Sequence, residues 1–141
     1  MLPYLYVTLG SALGGLLRYV LTRLTLPIST GLPWGTILIN IIGSFIIGYF
    51  GTLTLQGTRF AASENTRLFV MVGICGGFTT FSSFSLQTLD LARSGAWLRA
   101  LTNVVLSVVL CFAAVAIGHL LAQQTTHRQQ IAQTQEEEFT G

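Results

Sequence analysis

The chain has 141 residues, of which 51% are hydrophobic and only 9% charged, with a formal net charge of +2. That is too little charge to cover a soluble globule of this size, so the composition specifies a membrane protein. All seven basic residues are arginines scattered along the chain, which excludes the electrostatic footprint of a nucleic-acid binder and leaves lipid as the expected partner.

Four apolar segments, at about 3–26, 35–55, 68–91 and 98–122, each reach the ~20 residues needed to cross a bilayer. They predict an all-α integral membrane protein with one four-helix transmembrane domain over 1–122 and a polar tail over 123–141. The first segment has no basic region before it and no small-residue cleavage pattern, so it is expected to stay as a span and not to be removed as a signal peptide. Its run Gly10-Ser11-Ala12-Leu13-Gly14-Gly15 provides the small residues that let membrane helices approach closely. Arg23 sits where it can snorkel to the headgroups. Arg18 lies deeper, and two readings stand: a snorkelling side chain, or a basic group at a polar vestibule or anion entrance.

Pro27, Gly31 and Pro33 mark a surface turn, and Trp34 is placed as an interfacial anchor. Near the middle of the second segment Asn40 is the one strongly polar side chain. Its amide needs partners in hydrocarbon. Either it makes an interhelical hydrogen bond, or its NH₂ group donates to something passing through. Gly43, Ser44 and Gly48 continue a small-residue packing face. The connection over 56–67, with Arg59, Glu64 and Arg67, reads as a loop.

The third segment organises the rest. It contains Gly73-Ile74-Cys75-Gly76-Gly77-Phe78-Thr79-Thr80-Phe81-Ser82-Ser83-Phe84-Ser85, with glycines and hydroxyls where a plain span has leucines. Each helical glycine costs about 1 kcal/mol, and non-helical backbone at membrane depth survives only beside protein or a water-filled cavity. A break near Gly76-Gly77 facing a site is therefore expected. Beyond it, Phe81 and Phe84 set an aromatic stripe beside a hydroxyl stripe of Ser82 and Ser85. Asp90, Arg93, Ser94 and Gly95 mark a turn. In the fourth segment Asn103, Ser107 and Cys111 share one face at steps of four, which predicts contact with the hydroxyls of the third segment. Cys75 and Cys111 read as small packing residues. The tail, rich in Gln and Thr and ending in Glu136, Glu137 and Glu138 before its last three residues, reads as disordered or as a frayed amphipathic extension.

Four spans put both termini on one side. Arg59, Arg67 and Arg128 fall there, against Arg18, Arg23, Arg93 and Arg99 on the other. Such a balance sets no orientation, so oppositely inserted copies can pair as an antiparallel homodimer, bringing two broken third segments together. Carbonyls freed at the breaks could then hold a cation. No nucleophile–base pair, zinc-type cluster or phosphate loop is present in the sequence, which argues against an enzyme.

The run from Gly76 to Ser85, with Gly35-Thr36, Asn40 and Gly43 before it and Gly14 to Arg18 in the first span, resembles the bacterial Fluc (CrcB) fluoride channels. The likeness extends from about Leu5 to Leu121 in order and spacing. It implies a multi-pass protein of the bacterial plasma (inner) membrane, whose antiparallel, dual-topology homodimer carries cytoplasmic fluoride out by passive electrodiffusion through two pores and gives fluoride resistance. It implies ring edges of Phe81 and Phe84 and the Asn40 amide as fluoride contacts. Ser82, Ser83 and Ser85 would form a polar track, with Ser107 as a neighbour and Arg18 near the pore entrance. Backbone carbonyls of Gly76 and Thr79 would hold a structural sodium ion at the dimer interface. Gln87 stands where many relatives carry glutamate. Two other readings of the residues remain beside this one: a small proton-coupled multidrug exporter, although Glu64 and Asp90 lie near span ends where such antiporters need an intramembrane acid, and a non-transporting membrane assembly subunit.

Overall fold

The computed structural model describes the backbone of residues 1–55, 58 and 60–140, with side chains described as far as Arg128. Arg59, one of the three arginines counted on the terminal side, lies outside the described residues, as do Gln56, Gly57, Gly141 and the side chains of Glu136, Glu137 and Glu138.

Among the described residues the fold is all-helical, with four helical stretches long and apolar enough to cross a membrane: Leu2–Ile28, Trp34–Leu53, Glu64–Arg93 and Trp97–Arg128. Helix α1 covers Leu2–Thr25, with a proline in its first turn, where the missing N–H costs nothing. A single 3₁₀ turn, Leu26–Ile28, carries Pro27 and turns the chain toward α2, Trp34–Leu53, whose N-cap is Pro33. The third stretch is composite. It starts as α3, Glu64–Arg67, capped by the Ser63 hydroxyl on the Thr66 N–H at 3.2 Å. It widens to a π-helix over Leu68–Cys75, returns as α4 over Gly76–Phe78, and ends as α5 over Phe81–Arg93. Gly95, at φ 82°, makes the left-handed turn into α6 that other residues resist. Helix α6 runs over Trp97–Thr140, so the segment composition marks as a polar tail continues the helix.

Small residues decide which helices touch. Gly10 and Gly14 of α1 are buried against the third stretch. A Cβ on Gly10 would stand 2.8 Å from the Gly73 Cα, one on Gly77 would stand 2.6 Å from the Ser11 carbonyl oxygen, and one on Gly14 would strike the Ile74 carbonyl. The predicted small-residue face of α1 is thus in use. Helices α2 and α6 approach similarly, with Gly118 beside the Phe45 carbonyl and Gly48 beside the Val115 backbone. Such backbone-to-backbone approach lets helices gain dispersion contact where lipid offers no hydrophobic driving force. Arg67 ties the third stretch to α2: its Nη1 donates to the Gly51 carbonyl at 3.0 Å and to Thr54 Oγ1 at 2.6 Å. A cation at the C-terminal end of α2 also suits that helix's dipole.

The sequence places the loosened backbone at Gly76-Gly77, and the dihedral angles place it further on. Gly76 is helical, at φ −64° and ψ −37°. Helical angles cease instead at Thr79 (φ −73°, ψ 155°) and Thr80 (φ −151°, ψ 106°). The Gly77 position serves contact with α1, which requires the absence of a side chain and not the absence of a helix.

These contacts give a paired test. Gly10→Val should cost about 1–3 kcal/mol, the usual penalty of overpacking, and lower the melting temperature in detergent. Gly15→Ala, at a position with open space, should leave it unchanged or raise it, because a helical alanine gains up to ~1 kcal/mol over glycine.

Candidate functional site

The two extended threonines are held from the second helix. Asn40, half-buried on α2, accepts the Thr80 N–H on Oδ1 at 2.8 Å and donates from Nδ2 to the Thr80 carbonyl at 3.2 Å. The pair is reciprocal, so the main chain fixes which end of the amide is oxygen. Thr80 itself is buried. Its Oγ1 caps α5 by accepting the Ser83 N–H at 3.2 Å, donates to Ser83 Oγ at 3.0 Å, and lies 3.3 Å from Ser82 Oγ. Thr79 closes the preceding turn, its N–H and hydroxyl both donating to the Cys75 carbonyl, at 2.9 and 2.8 Å.

Beside this junction lies a cavity of about 370 Å³, lined by Asn40, Gly43, Ser44, Gly76, Thr79, Thr80, Phe81, Phe84, Ser107 and neighbouring apolar and sulfur-bearing side chains. Of the residues singled out in the sequence, it brings together Asn40, Phe81, Phe84, Ser107, Gly76 and Thr79. The Phe81 and Phe84 rings are 5.4 Å apart, tilted 45°. Phe81 is 79% exposed, so one copy of the chain leaves that ring, and the flank of Gly76 next to it, uncovered. Ser82, Ser83 and Ser85 do not line the cavity. Arg18, half-buried on α1, does not line it either.

A hydroxyl has one proton to give, and several here are already committed. Ser85 donates to the Phe81 carbonyl at 2.9 Å and Thr88 to the Phe84 carbonyl at 2.7 Å. Ser107 points its proton at Asn103 Oδ1 over a long 3.5 Å. Asn103, fully buried, donates to Thr88 Oγ1 at 2.8 Å, so the polar face of α6 does meet the third stretch, at Thr88 and not at the expected Ser82 and Ser85. Since Thr80 gives its proton to Ser83, the Ser83 proton is free to point elsewhere. A second cavity, about 450 Å³, is lined by Thr36, Gln87, Asp90 and several threonines and serines of the first turn region. Gln87 Oε1 is buried there without a hydrogen-bond partner among the described residues, an acceptor open to a water or another donor.

Thr80, which lines the cavity and caps α5, and Thr88, which ties α5 to α6, are the residues whose roles sequence reading passes over. The available signal for Thr80 is a threonine directly before the resumed helical pattern, a preferred N-cap residue. Thr88 continues the Ser82 and Ser85 stripe at the same step of three, but its partner comes from another helix, which no local spacing gives.

Four apolar helical stretches around a polar junction and a cavity define a small multi-pass membrane protein. The chain belongs to the CrcB-like family (CrcB-like protein, Camphor Resistance), whose family model matches residues 5–119. It is 69% identical over 116 residues to the fluoride-specific ion channel FluC of Methylobacterium radiotolerans, covering 82% of this chain and 81% of that protein. It is 60% identical over 136 residues to the protein of the same name in Gluconobacter oxydans, covering 95% and 94%. The protein of that name in Methylocella silvestris is 55% identical over 122 residues, covering 86% and 93%. These relatives are named as ion channels and not as enzymes.

Thr80→Val keeps the shape and removes the cap, so it should destabilise the fold by about 1 kcal/mol. The check is thermal unfolding of the detergent-solubilised protein, with Ser85→Ala, whose side chain is exposed, as a near-neutral control.

Proposed function

We propose that this chain is a fluoride-selective channel that exports cytoplasmic fluoride by passive electrodiffusion and so gives fluoride resistance. The observation that carries the reading is the convergence of Asn40, Phe81, Phe84 and Ser107 on one cavity in a chain whose relatives are named fluoride-specific ion channels. Fluoride is small and tightly hydrated, so a selective path must replace its water with close donors without holding it too firmly to release. Positive ring edges of Phe81 and Phe84, an amide hydrogen of Asn40 and the hydroxyl of Ser107 supply low-charge donors in the cavity, and the hydroxyls of Ser82, Ser83 and Ser85, outside that cavity, would carry the path onward along α5. The hydroxyls now bonded within the chain would turn to the ion as it passes. Arg18 would raise anion concentration at an entrance. Among the described residues, no Asp or Glu lines the cavity, although a proton-coupled exporter needs an acid at that depth.

The working unit in this reading is an antiparallel, dual-topology homodimer in the bacterial inner membrane, with two pores and a third crossing broken mid-membrane. Its support is the uncovered flank at Phe81 and Gly76 and the near-even division of the arginines, three against four. Exposed polar backbone in a span needs a protein neighbour. A structural sodium ion fits the same place. The Thr80 N–H, which would continue the helical ladder to the Gly76 carbonyl, is turned to Asn40 instead, and Gly76 has open space beside it. The carbonyls of Gly76 and Thr79 would hold the ion, since hard cations take oxygen ligands of this kind. When bound it would supply positive potential near the anion path.

Efflux of fluoride from liposomes, set against chloride, tests the proposal. Purified protein should release fluoride far faster than chloride, and equal rates for the two ions refute it. Phe81→Ile, and Asn40→Asp at neutral pH, should abolish fluoride efflux while leaving dimers intact in detergent.

A further inference from the structure

We infer that Asn40 acts as a positioning residue, whose amide locks the extended Thr80 main chain through two opposed hydrogen bonds and thereby sets the start of α5, where Phe81 and Phe84 stand. The inference deepens the fluoride-channel reading and rests on it for its consequence in transport. Asn40 offers one carbonyl oxygen and two amide hydrogens. The Thr80 N–H takes the oxygen at 2.8 Å and the Thr80 carbonyl takes one hydrogen at 3.2 Å. Thr80 is buried, at φ −151° and ψ 106°, so its N–H would otherwise lack a helical partner, while its carbonyl, being that of an N-cap, takes the Asn40 hydrogen beside the first turn of α5.

The clamp works through a short relay. Thr80 is the N-cap of α5, and its Oγ1 engages the Ser83 N–H and the hydroxyls of Ser82 and Ser83. Phe81 follows it directly and lines the cavity with Phe84 and Asn40. Moving the Thr80 peptide therefore swings the first turn of α5 and the two rings on it. Gly43, one turn along α2 from Asn40, leaves room for the Thr79 side chain, so α2 supports both extended residues. A second covering for these groups is not needed from water, because the amide satisfies donor and acceptor together.

The clamp makes a demand that a simple ion contact does not. A side chain at this position must present one acceptor and one donor in a planar fork. An ionised carboxylate meets the first requirement and fails the second, placing an oxygen against the Thr80 carbonyl. A protonated carboxyl group meets both, but has no further hydrogen to offer an ion. Among the described residues, the cavity lining includes no Asp, Glu, Lys, Arg or His, its only titratable members being the thiols of Cys75 and Cys111. A pH response of an Asn40→Asp variant in this region therefore reports the new carboxyl group.

The experiment compares the wild type with Asn40→Asp and Asn40→Ala at pH 7.5 and pH 5, reading fluoride efflux above protein-free vesicles and hydrogen exchange at the Thr80 amide. Asn40→Asp should lose at least about tenfold in efflux at pH 7.5, the scale of one buried group left unpaired, and recover part of it at pH 5, where the clamp is restored but the hydrogen facing the ion is still missing. The wild type should not change in parallel. Asn40→Ala should exchange its Thr80 amide about tenfold faster than wild type at both values. If the aspartate variant stays silent at pH 5 while its Thr80 amide is protected there, the free amide hydrogen and not the clamp serves transport, and the inference fails. It fails equally if removing the Asn40 side chain leaves Thr80 exchange unaltered. Exchange is read whether or not the chain carries fluoride, so loss of the channel reading and loss of the clamp are told apart. Should the variants not fold, the native side-chain amide decides: one Asn40 hydrogen must exchange more slowly than the other, and equal rapid exchange overturns the clamp.

Discussion

A peptide group inside an apolar crossing must find its hydrogen-bond partners within protein, and the structure around Thr80 follows from that requirement. Two consecutive residues leave helical geometry there. The Thr80 N–H, which has left the helical ladder, would cost several kcal/mol if left bare in hydrocarbon. One asparagine from the neighbouring helix accepts it and donates back to the Thr80 carbonyl, and one threonine hydroxyl meets the first turn of the helix that follows. Asn40 of the second crossing and Thr80, Ser82 and Ser83 of the third are therefore linked in one hydrogen-bonded network. Functional groups on such a network are held in register by the same bonds that make the non-helical backbone tolerable.

That arrangement needs helices close enough for short side chains to reach, and glycine provides the distance. Gly10, Gly14, Gly73 and Gly77 bring α1 onto the first half of the third stretch, while Gly48 and Gly118 bring α6 onto α2. The second half, α5, touches its neighbours far less and is held through Asn103 and Thr88. The two halves thus have different supports: backbone packing before the threonines, side-chain hydrogen bonds after them. The π-helical Leu68–Cys75 lies on the densely packed side, where widened turns fit the glycine contacts. An exposed Phe81 and an uncovered Gly76 sit at the boundary between the halves, which is where the proposed second copy would lie.

The contrast between Asn40 and the serines is instructive. Asn40 could be read either as a packing amide or as an ion contact, and the coordinates give it a full set of main-chain partners with one hydrogen to spare. The serines of the third stretch look alike in sequence, yet their protons go to different places: Ser85 to a carbonyl of its own helix, Ser82 toward Thr80, and that of Ser83 to no partner among the described residues. Hydroxyl count alone does not measure the donors available to an anion. The direction of each proton, imposed by the cap at Thr80, does.

Composition and hydropathy determined that the chain lives in a membrane, that it crosses in four helical stretches and that the third differs from the rest, because transfer of apolar area and the length of a span are local properties. Repeated small residues likewise marked the contact face of α1, and the run from Gly76 to Ser85 was specific enough to reveal the family. The site of the non-helical turn, the partner of Asn40, the roles of Thr80 and Thr88 and the orphaned oxygen of Gln87 were not legible in the same way. Glycines point to weak helix as readily as to close packing, and only the position of α1 shows that Gly77 serves the latter. A hydrogen bond between residues 40 positions apart depends on where two helices cross, which no local pattern encodes and only the tertiary structure decides.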